Sequence, residues 1–326
     1  MKDRLKQVAR LFGVSDSARR LTKRSRLLRR LLDPSVSVPL CREEAEAPFF
    51  IVGSGRCGTT LLRRLLQANP QVHIPPENWA LCGAIQAFEA HQGILTWRTA
   101  VDLVLGRHLA SNERWFDEPP SDLQDRLMSV PSCDQSLAHL LNVVYRYHGE
   151  YRNAHFTRWG DKTPRNVNCM NELSRVYPRA RFIHLLRDGV DVVHSWSKRR
   201  KHFGDMKGGA RRWKNALINT RSFAQCAPSR LIEIRYEDMV RKPEAVLRNI
   251  CRFIDLLYED NMLLRTDHYD EMEEAQSVGH YEKVFEEIST DSIGKGRRNL
   301  SAEQKATLAP LIDDELMRYG YDPATS

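Results

Sequence analysis

Residues 49–67 leave this chain few ways to fold. Phe49-Phe50-Ile51-Val52 is a short unbroken apolar run that reads as a buried strand, and Thr60 to Gln67 carries Leu61, Leu62, Leu65 and Leu66 at helical spacing. Between them stands Gly53-Ser54-Gly55-Arg56-Cys57-Gly58-Thr59. A strand that turns on glycines straight into a helix aims the loop N–H groups and the helix N-terminus at one place, which suits an anion. The spacing is GxxxxG followed by Thr59-Thr60, whereas a nucleoside-triphosphatase loop carries Lys at the position of Thr59. That lysine reaches β- and γ-phosphates, so the expected ligand here has no triphosphate to grip. Arg56 instead puts its charge inside the loop.

Two further apolar runs, Arg181 to Leu186 and Leu231 to Ile234, are each followed by a helical pattern. This alternation predicts an α/β fold, a P-loop-type parallel β-sheet flanked by helices on both faces. Ligands in such sheets bind beyond the carboxyl ends of the strands. Residues 80–150 are mostly helical in pattern and rich in aromatics, among them Phe88, Trp97, Trp115, Phe116, Tyr145 and Tyr147. No repeat of fixed period is visible.

The formal net charge of +8 suggests nucleic acid until it is located. Residues 1–30 hold eleven Lys or Arg against Asp3 and Asp16, a balance of +9, which leaves 8 − 9 = −1 for residues 31–326. A nearly neutral body argues against a nucleic-acid partner. Residues 1–46 are expected to form a basic, helical arm, because Leu5, Val8, Phe12, Leu21, Leu27, Leu28, Leu31 and Leu32 recur among the charges. Its apolar side suits packing on the body, and its basic side suits peripheral contact with an anionic membrane. The longest apolar runs fall far short of the ~18 residues of a membrane-spanning helix. Seven scattered cysteines without a CxxC pair, and no recognisable secretory signal, predict reduced thiols and a cytoplasmic location. Neither cysteines nor histidines show metal-ligand spacing, so no metal is expected.

Five motifs in order then resemble the sulfotransferases that use 3′-phosphoadenosine 5′-phosphosulfate (PAPS), the bacterial, tyrosylprotein and heparan types in particular. Arg56-Cys57-Gly58-Thr59-Thr60-Leu61 is similar to their 5′-phosphosulfate loop, with Cys57 where Ser is common. Arg181 to Ser195 is similar to their 3′-phosphate motif, a strand ending in Arg187-Asp188 with a Ser eight residues after the Arg. Gly160-Asp161-Lys162-Thr163-Pro164, Ile234 to Met239, and Gly294-Lys295-Gly296-Arg297-Arg298 with Gly320-Tyr321 complete the match, which spans roughly residues 48–322.

The resemblance implies that residues 47–326 form one sulfotransferase-like α/β domain, with about 79–157 as a helical insertion on the acceptor side. It implies PAPS as co-substrate and a hydroxyl (or amine) of a small-molecule, carbohydrate or lipid as acceptor. Gly55, Arg56, Cys57, Gly58, Thr59 and Thr60 would hold the 5′-phosphosulfate, and Arg187 and Ser195 the 3′-phosphate. Tyr236 with Arg235 would lie beside the adenine and 3′-phosphate, and Lys295 and Arg297 on a late loop that closes over the donor. Lys162 would stabilise the transition state alongside Arg56. Glu77, in Pro75-Pro76-Glu77-Asn78, would be the general base, with His73 in reserve. A kinase with a degenerate phosphate loop is the alternative, and it would need Asp188 as a magnesium ligand. Cys57, at a helix N-terminus beside Arg56, is expected to be a reactive thiol.

Overall fold

The computed structural model describes residues 37–42, 46–111, 115–116, 120–152, 154–198, 206–264 and 287–326. The basic arm expected over residues 1–30 lies outside them. The strands are β1 (Phe49–Gly53), β2 (Val72–His73), β3 (Arg158–Lys162), β4 (Arg181–Leu186) and β5 (Leu231–Arg235). The helices are α1 (Thr59–Gln67), α2 (Ala80–His91), α3 (Trp97–Ala110), α4 (Ser121–Met128), α5 (Leu137–Tyr151), α6 (Met170–Val176), α7 (Gly189–Ser197), α8 (Met206–Cys226), α9 (Tyr236–Arg241), α10 (Pro243–Phe253), α11 (Lys295–Asn299) and α12 (Ala302–Arg318).

The strands form one sheet in the order β2-β3-β1-β4-β5, with β1 parallel to β4 and β4 parallel to β5. Every residue of β1 is buried, as is every residue of β4 except Arg181, which explains their continuous apolar runs. Each such side chain taken from water stabilises by about 1.5–3 kcal/mol. Phe50 stacks on Phe182 across the pair, and Phe182 meets Phe223 of α8 edge-on. The one buried polar residue of β4, His184, faces its register partner Glu233 on β5, with Nδ1 2.9 Å from Oε2. β1, β4 and β5, read from their apolar runs, appear where expected. Gly160-Asp161-Lys162 of the motif forms the last three residues of β3.

The described residues divide into two compact units. One comprises residues 49–74, 162–168 and 181–326, and so contains β1, β4, β5 and the helices that follow them. The other comprises 75–161 and 169–180, with the segment before residue 49. In this second unit Thr96 and Thr99 cap α3 reciprocally, and Ser136 caps α5 through the His139 N–H. Tyr145 stacks on Trp159 with ring centroids 4.0 Å apart.

α2 packs on α6, and there Cys82 and Cys169 are joined by a disulfide with Cα atoms 5.9 Å apart. This corrects the reading of all thiols as reduced. The two cysteines are 87 residues apart in sequence, and helix packing rather than spacing brings them together. Cys41, Cys57, Cys133, Cys226 and Cys251 are free. Among the described residues no helix is long and apolar enough to cross a membrane.

Candidate active site

After β1 the backbone turns through positive φ at Gly55 (72°), Arg56 (59°) and Gly58 (97°). A left-handed residue next to one of negative φ, as Gly58 is next to Cys57, turns neighbouring N–H groups to the same side, the geometry of an anion nest. Glycine adopts such angles freely, while Arg56 does so at a cost of about 1–3 kcal/mol, the kind of strain found at functional sites. α1 begins at once, with no side-chain cap and no acid in its first turn. Its opening N–H groups and its dipole therefore remain available to a ligand. A Cβ on Gly58 would lie 2.5 Å from Cδ2 of Tyr236, so the ring packs directly on the loop.

Arg187 ends β4 and Asp188 caps α7, accepting from the Val190 N–H at 2.8 Å. Along α7 the spacing 191, 194, 195, 198 lays Asp191, His194, Ser195 and Lys198 on one stripe. That stripe, Arg187, the loop residues Arg56, Gly58, Thr59 and Thr60, Tyr236 and Lys295 line a cavity of about 290 Å³. It lies beyond the carboxyl ends of β1, β4 and β5, as the fold requires. Arg56 Nε donates to Ser195 Oγ at 3.0 Å and links the loop to the stripe. The Arg187 guanidinium sits 4.4 Å from the centre of the Tyr236 ring and donates to the carbonyls of Arg56 and Ser292. Its Nε is buried and has no hydrogen-bond partner among the described residues. A buried unpaired donor on a cation costs free energy, and an anion in the cavity would relieve that cost.

The far wall is held by Asp191, which is almost wholly buried. Its carboxylate accepts from the N–H groups of Gly294 (2.8 Å) and Gly296 (2.6 Å), and lies 3.4 Å from Arg187. These bonds fasten α11, and with it Lys295, over the cavity. Gly296 tolerates no side chain, since a Cβ there would stand 2.4 Å from the Val190 carbonyl oxygen. Gly296→Ala should therefore destabilise the protein by about 3 kcal/mol, as overpacking against backbone does. A lower denaturation midpoint in urea, at unchanged slope, is the measurement.

Not every expected residue reaches the cavity. Arg297 pairs with Asp188 at 2.7 Å and donates to the carbonyls of Pro323 and Asp322, so it anchors the C-terminal segment instead. Arg235 does likewise, donating to the Tyr319 carbonyl and stacking on Tyr321. Asp188 is thus engaged by Arg297 and by α7. Burial pushes its carboxyl above the ordinary range in spite of Arg297, which makes it a poor metal ligand for the kinase alternative. Among the described residues no group of acids, histidines or cysteines could hold a metal.

Gly55 shapes the loop against Trp196 rather than lining the cavity. Cys57 is wholly buried beneath the loop, with Sγ 2.8 Å from where a Cβ on Gly53 would be. Burial pushes its thiol up, outweighing the hydrogen bond from Ser54 and the charge of Arg187. The expectation of a reactive thiol is therefore corrected: the dipole argument holds only for a sulfur that water can reach.

Lys162 is the last residue of β3 and only 1% exposed, and His73 on β2 is 4% exposed. Ahead of Lys162, Asp161 accepts from the Tyr145 hydroxyl at 2.7 Å, and burial and then this carboxylate push the phenol far above its usual range. Glu77 belongs to the other unit, on a short segment pinned at three points. The Trp115 indole donates to the Pro76 carbonyl (2.8 Å), the Asn78 carboxamide accepts from the Ala80 N–H (2.8 Å), and the Trp79 indole donates to Glu77 Oε1 (2.8 Å).

The expectations missed Asp191, His194 and Lys198. Helical periodicity would have found them, since they lie four, seven and eleven residues after Arg187.

A model of the sulfotransferase family matches residues 48–260. The chain is 25% identical over 311 residues to protein-tyrosine sulfotransferase 1 of Danio rerio, covering 89% of this chain and 76% of that protein. It is 26% identical over 298 residues to protein-tyrosine sulfotransferase 1 of Homo sapiens, covering 84% and 69%. Among solved structures, the sulfotransferase domain of the Synechococcus PCC 7002 olefin synthase superposes with TM-score 0.59 at 21% identity, covering 86% of this chain and 97% of that one. The sulfotransferase domain from the curacin biosynthetic pathway gives 0.56 at 20%, covering 85% and 98%. At these identities the structural likeness speaks to the fold.

Proposed function

Because this chain belongs to the sulfotransferase family, we propose that it transfers a sulfuryl group from PAPS to an acceptor hydroxyl. The observation that carries the donor assignment is the cavity: a phosphate loop without its lysine, a nest of N–H groups, and the buried Arg187 Nε with no partner among the described residues. When bound, the donor supplies an activated sulfuryl group on a phosphate that leaves readily.

The loop N–H groups with Arg56, Thr59 and Thr60 hold the 5′-phosphosulfate and neutralise charge on the leaving phosphate. Arg187 grips the 3′-phosphate through charge-assisted bonds, Ser195 adds a neutral donor, and Tyr236 walls the site beside them. Lys295, fastened through Asp191, closes over the donor. Lys162 stabilises charge on the sulfuryl group in flight, and Glu77 takes the acceptor's proton. Positioning and fixed charge do most of the work, as in phosphoryl transfer.

The acceptor class suggested first by sequence was a small molecule, carbohydrate or lipid. The relatives whose names specify an acceptor are protein-tyrosine sulfotransferases, which brings a tyrosyl phenol forward as the acceptor to test. The test is incubation with sulfur-labelled PAPS and three acceptors: a tyrosine-containing peptide, a simple phenol and an aliphatic alcohol. Label on the peptide supports the tyrosyl reading, and label on the other two alone moves the acceptor to a small molecule. Transfer of label from magnesium-ATP, and none from PAPS, would replace the proposal with the kinase alternative.

A further inference from the structure

Beside Arg187 a second buried polar group lines the cavity. His194 is 6% exposed and lines the cavity wall. Its place follows from the helix. It stands three residues after Asp191, next to Ser195 and four before Lys198, on the stripe that faces the loop. An imidazole on this wall stands among groups suited to phosphate, within a cavity lined by Arg56, Arg187, Lys198 and Lys295.

We propose that His194 is a binding residue for the donor's phosphate groups, meeting them as an imidazolium that forms only when they arrive. This rests on the reading of the cavity as the donor site. The groups around the ring decide its charge. Lys198 on α7, Lys295 on α11, Arg187 at the end of β4 and Arg56 on the loop are cations, against the two carboxylates Asp191 and Glu287. From α8, Arg212 lies over the Trp196 ring.

From the protein groups alone, burial and then Lys198 hold the imidazole below its ordinary range, with Lys295 and Arg187 adding to this and Asp191 opposing it. At neutral pH the ring is therefore uncharged. A bound phosphate reverses the balance by neutralising the same cations and offering its oxygens to the ring. The proton comes from solvent, so binding takes up a proton and affinity rises as pH falls. The gain levels off below the midpoint of the empty site, where the ring is already charged.

Such a residue would also make release of the product, adenosine 3′,5′-bisphosphate, respond to pH. The product keeps both phosphates, so shedding the imidazolium proton as pH rises weakens its grip. Among the described residues that line the cavity, no other titrates near neutrality by its ordinary range.

The test uses the full chain with nitrogen-labelled histidine. The His194 resonance, assigned from whichever of His194→Gln or His194→Asn folds, is titrated by NMR between about pH 5.5 and 8.5 with and without adenosine 3′,5′-bisphosphate. The expected result is a midpoint at least one unit higher in the complex. By linkage, each pH unit by which the midpoint rises corresponds to an affinity that rises about tenfold more in wild type than in the variant, once pH has fallen from above the midpoint of the complex to below that of the free protein. Both proteins share the ligand's own ionisation, so the comparison removes it. If the ligand binds but the midpoint does not move, His194 is not a phosphate-binding residue and the donor site stands without it. If adenosine 3′,5′-bisphosphate fails to bind wild type at all, the donor reading itself fails.

Discussion

Glu77→Gln should lower turnover about a hundredfold or more, the effect of removing a general base, while the affinity for adenosine 3′,5′-bisphosphate stays within a few-fold. Gln keeps the length of the side chain, and its carbonyl oxygen can still accept from the Trp79 indole that now bonds Glu77 Oε1. The segment pinned by Trp115 and Asn78 should therefore keep its shape. What the amide lacks is the ability to take a proton at neutral pH. Lys162→Ala should cut turnover by a comparable factor for a different reason, the loss of a fixed cation where negative charge develops. Because Lys162 is nearly fully buried at the end of β3, a thermal melt must accompany this variant to separate loss of fold from loss of chemistry. Steady-state rates and calorimetric affinities provide the comparison. Normal turnover in Glu77→Gln would move the base to another group, with buried His73 next in line.

Arg187→Ala should weaken binding of adenosine 3′,5′-bisphosphate about ten- to a hundredfold, since a charge-assisted bond of this kind contributes roughly 1.5–3 kcal/mol. The orphaned Nε gives the expectation its basis, because the guanidinium already holds two carbonyls and still has a buried donor to place. Adenosine 5′-phosphate separates recognition from scaffolding. If Arg187 reads the 3′-phosphate, this ligand should bind the variant and wild type with nearly equal affinity. Arg187→Lys should recover only part of the loss, because an ammonium cannot reproduce the planar fork or the stacking on Tyr236. Equal calorimetric affinities of wild type and Arg187→Ala for the bisphosphate would overturn the assignment.

The contrast between Arg187 and Arg297 shows what kind of information each motif carries. Arg187 follows an apolar strand directly, and the carboxyl end of a parallel strand is where a ligand lies whatever the rest of the chain does. Arg297 stands on the short helix α11, more than a hundred residues later. Its direction depends on whether Asp188 and the carbonyls of Asp322 and Pro323 come within reach, and they do. His194 and Lys198 are an intermediate case. The helix is legible and its period fixes their face, so knowing that Ser195 lines the cavity suffices to place them.

What this sequence determined by itself is local: the apolar runs of β1, β4 and β5, the glycine turn into α1, and the absence of the loop lysine. Each depends on neighbours within a few residues, through strand and helix periodicity and the positive φ that glycine permits. What only the tertiary structure decided is the environment of single atoms. Cys82 and Cys169 are bonded because α2 packs on α6, a contact that 87 intervening residues conceal. Cys57 stands beside an arginine at a helix start, which favours a thiolate, yet the chain that closes over its sulfur excludes water and reverses the outcome. Desolvation is set by everything that packs around an atom, and no stretch of sequence contains that sum.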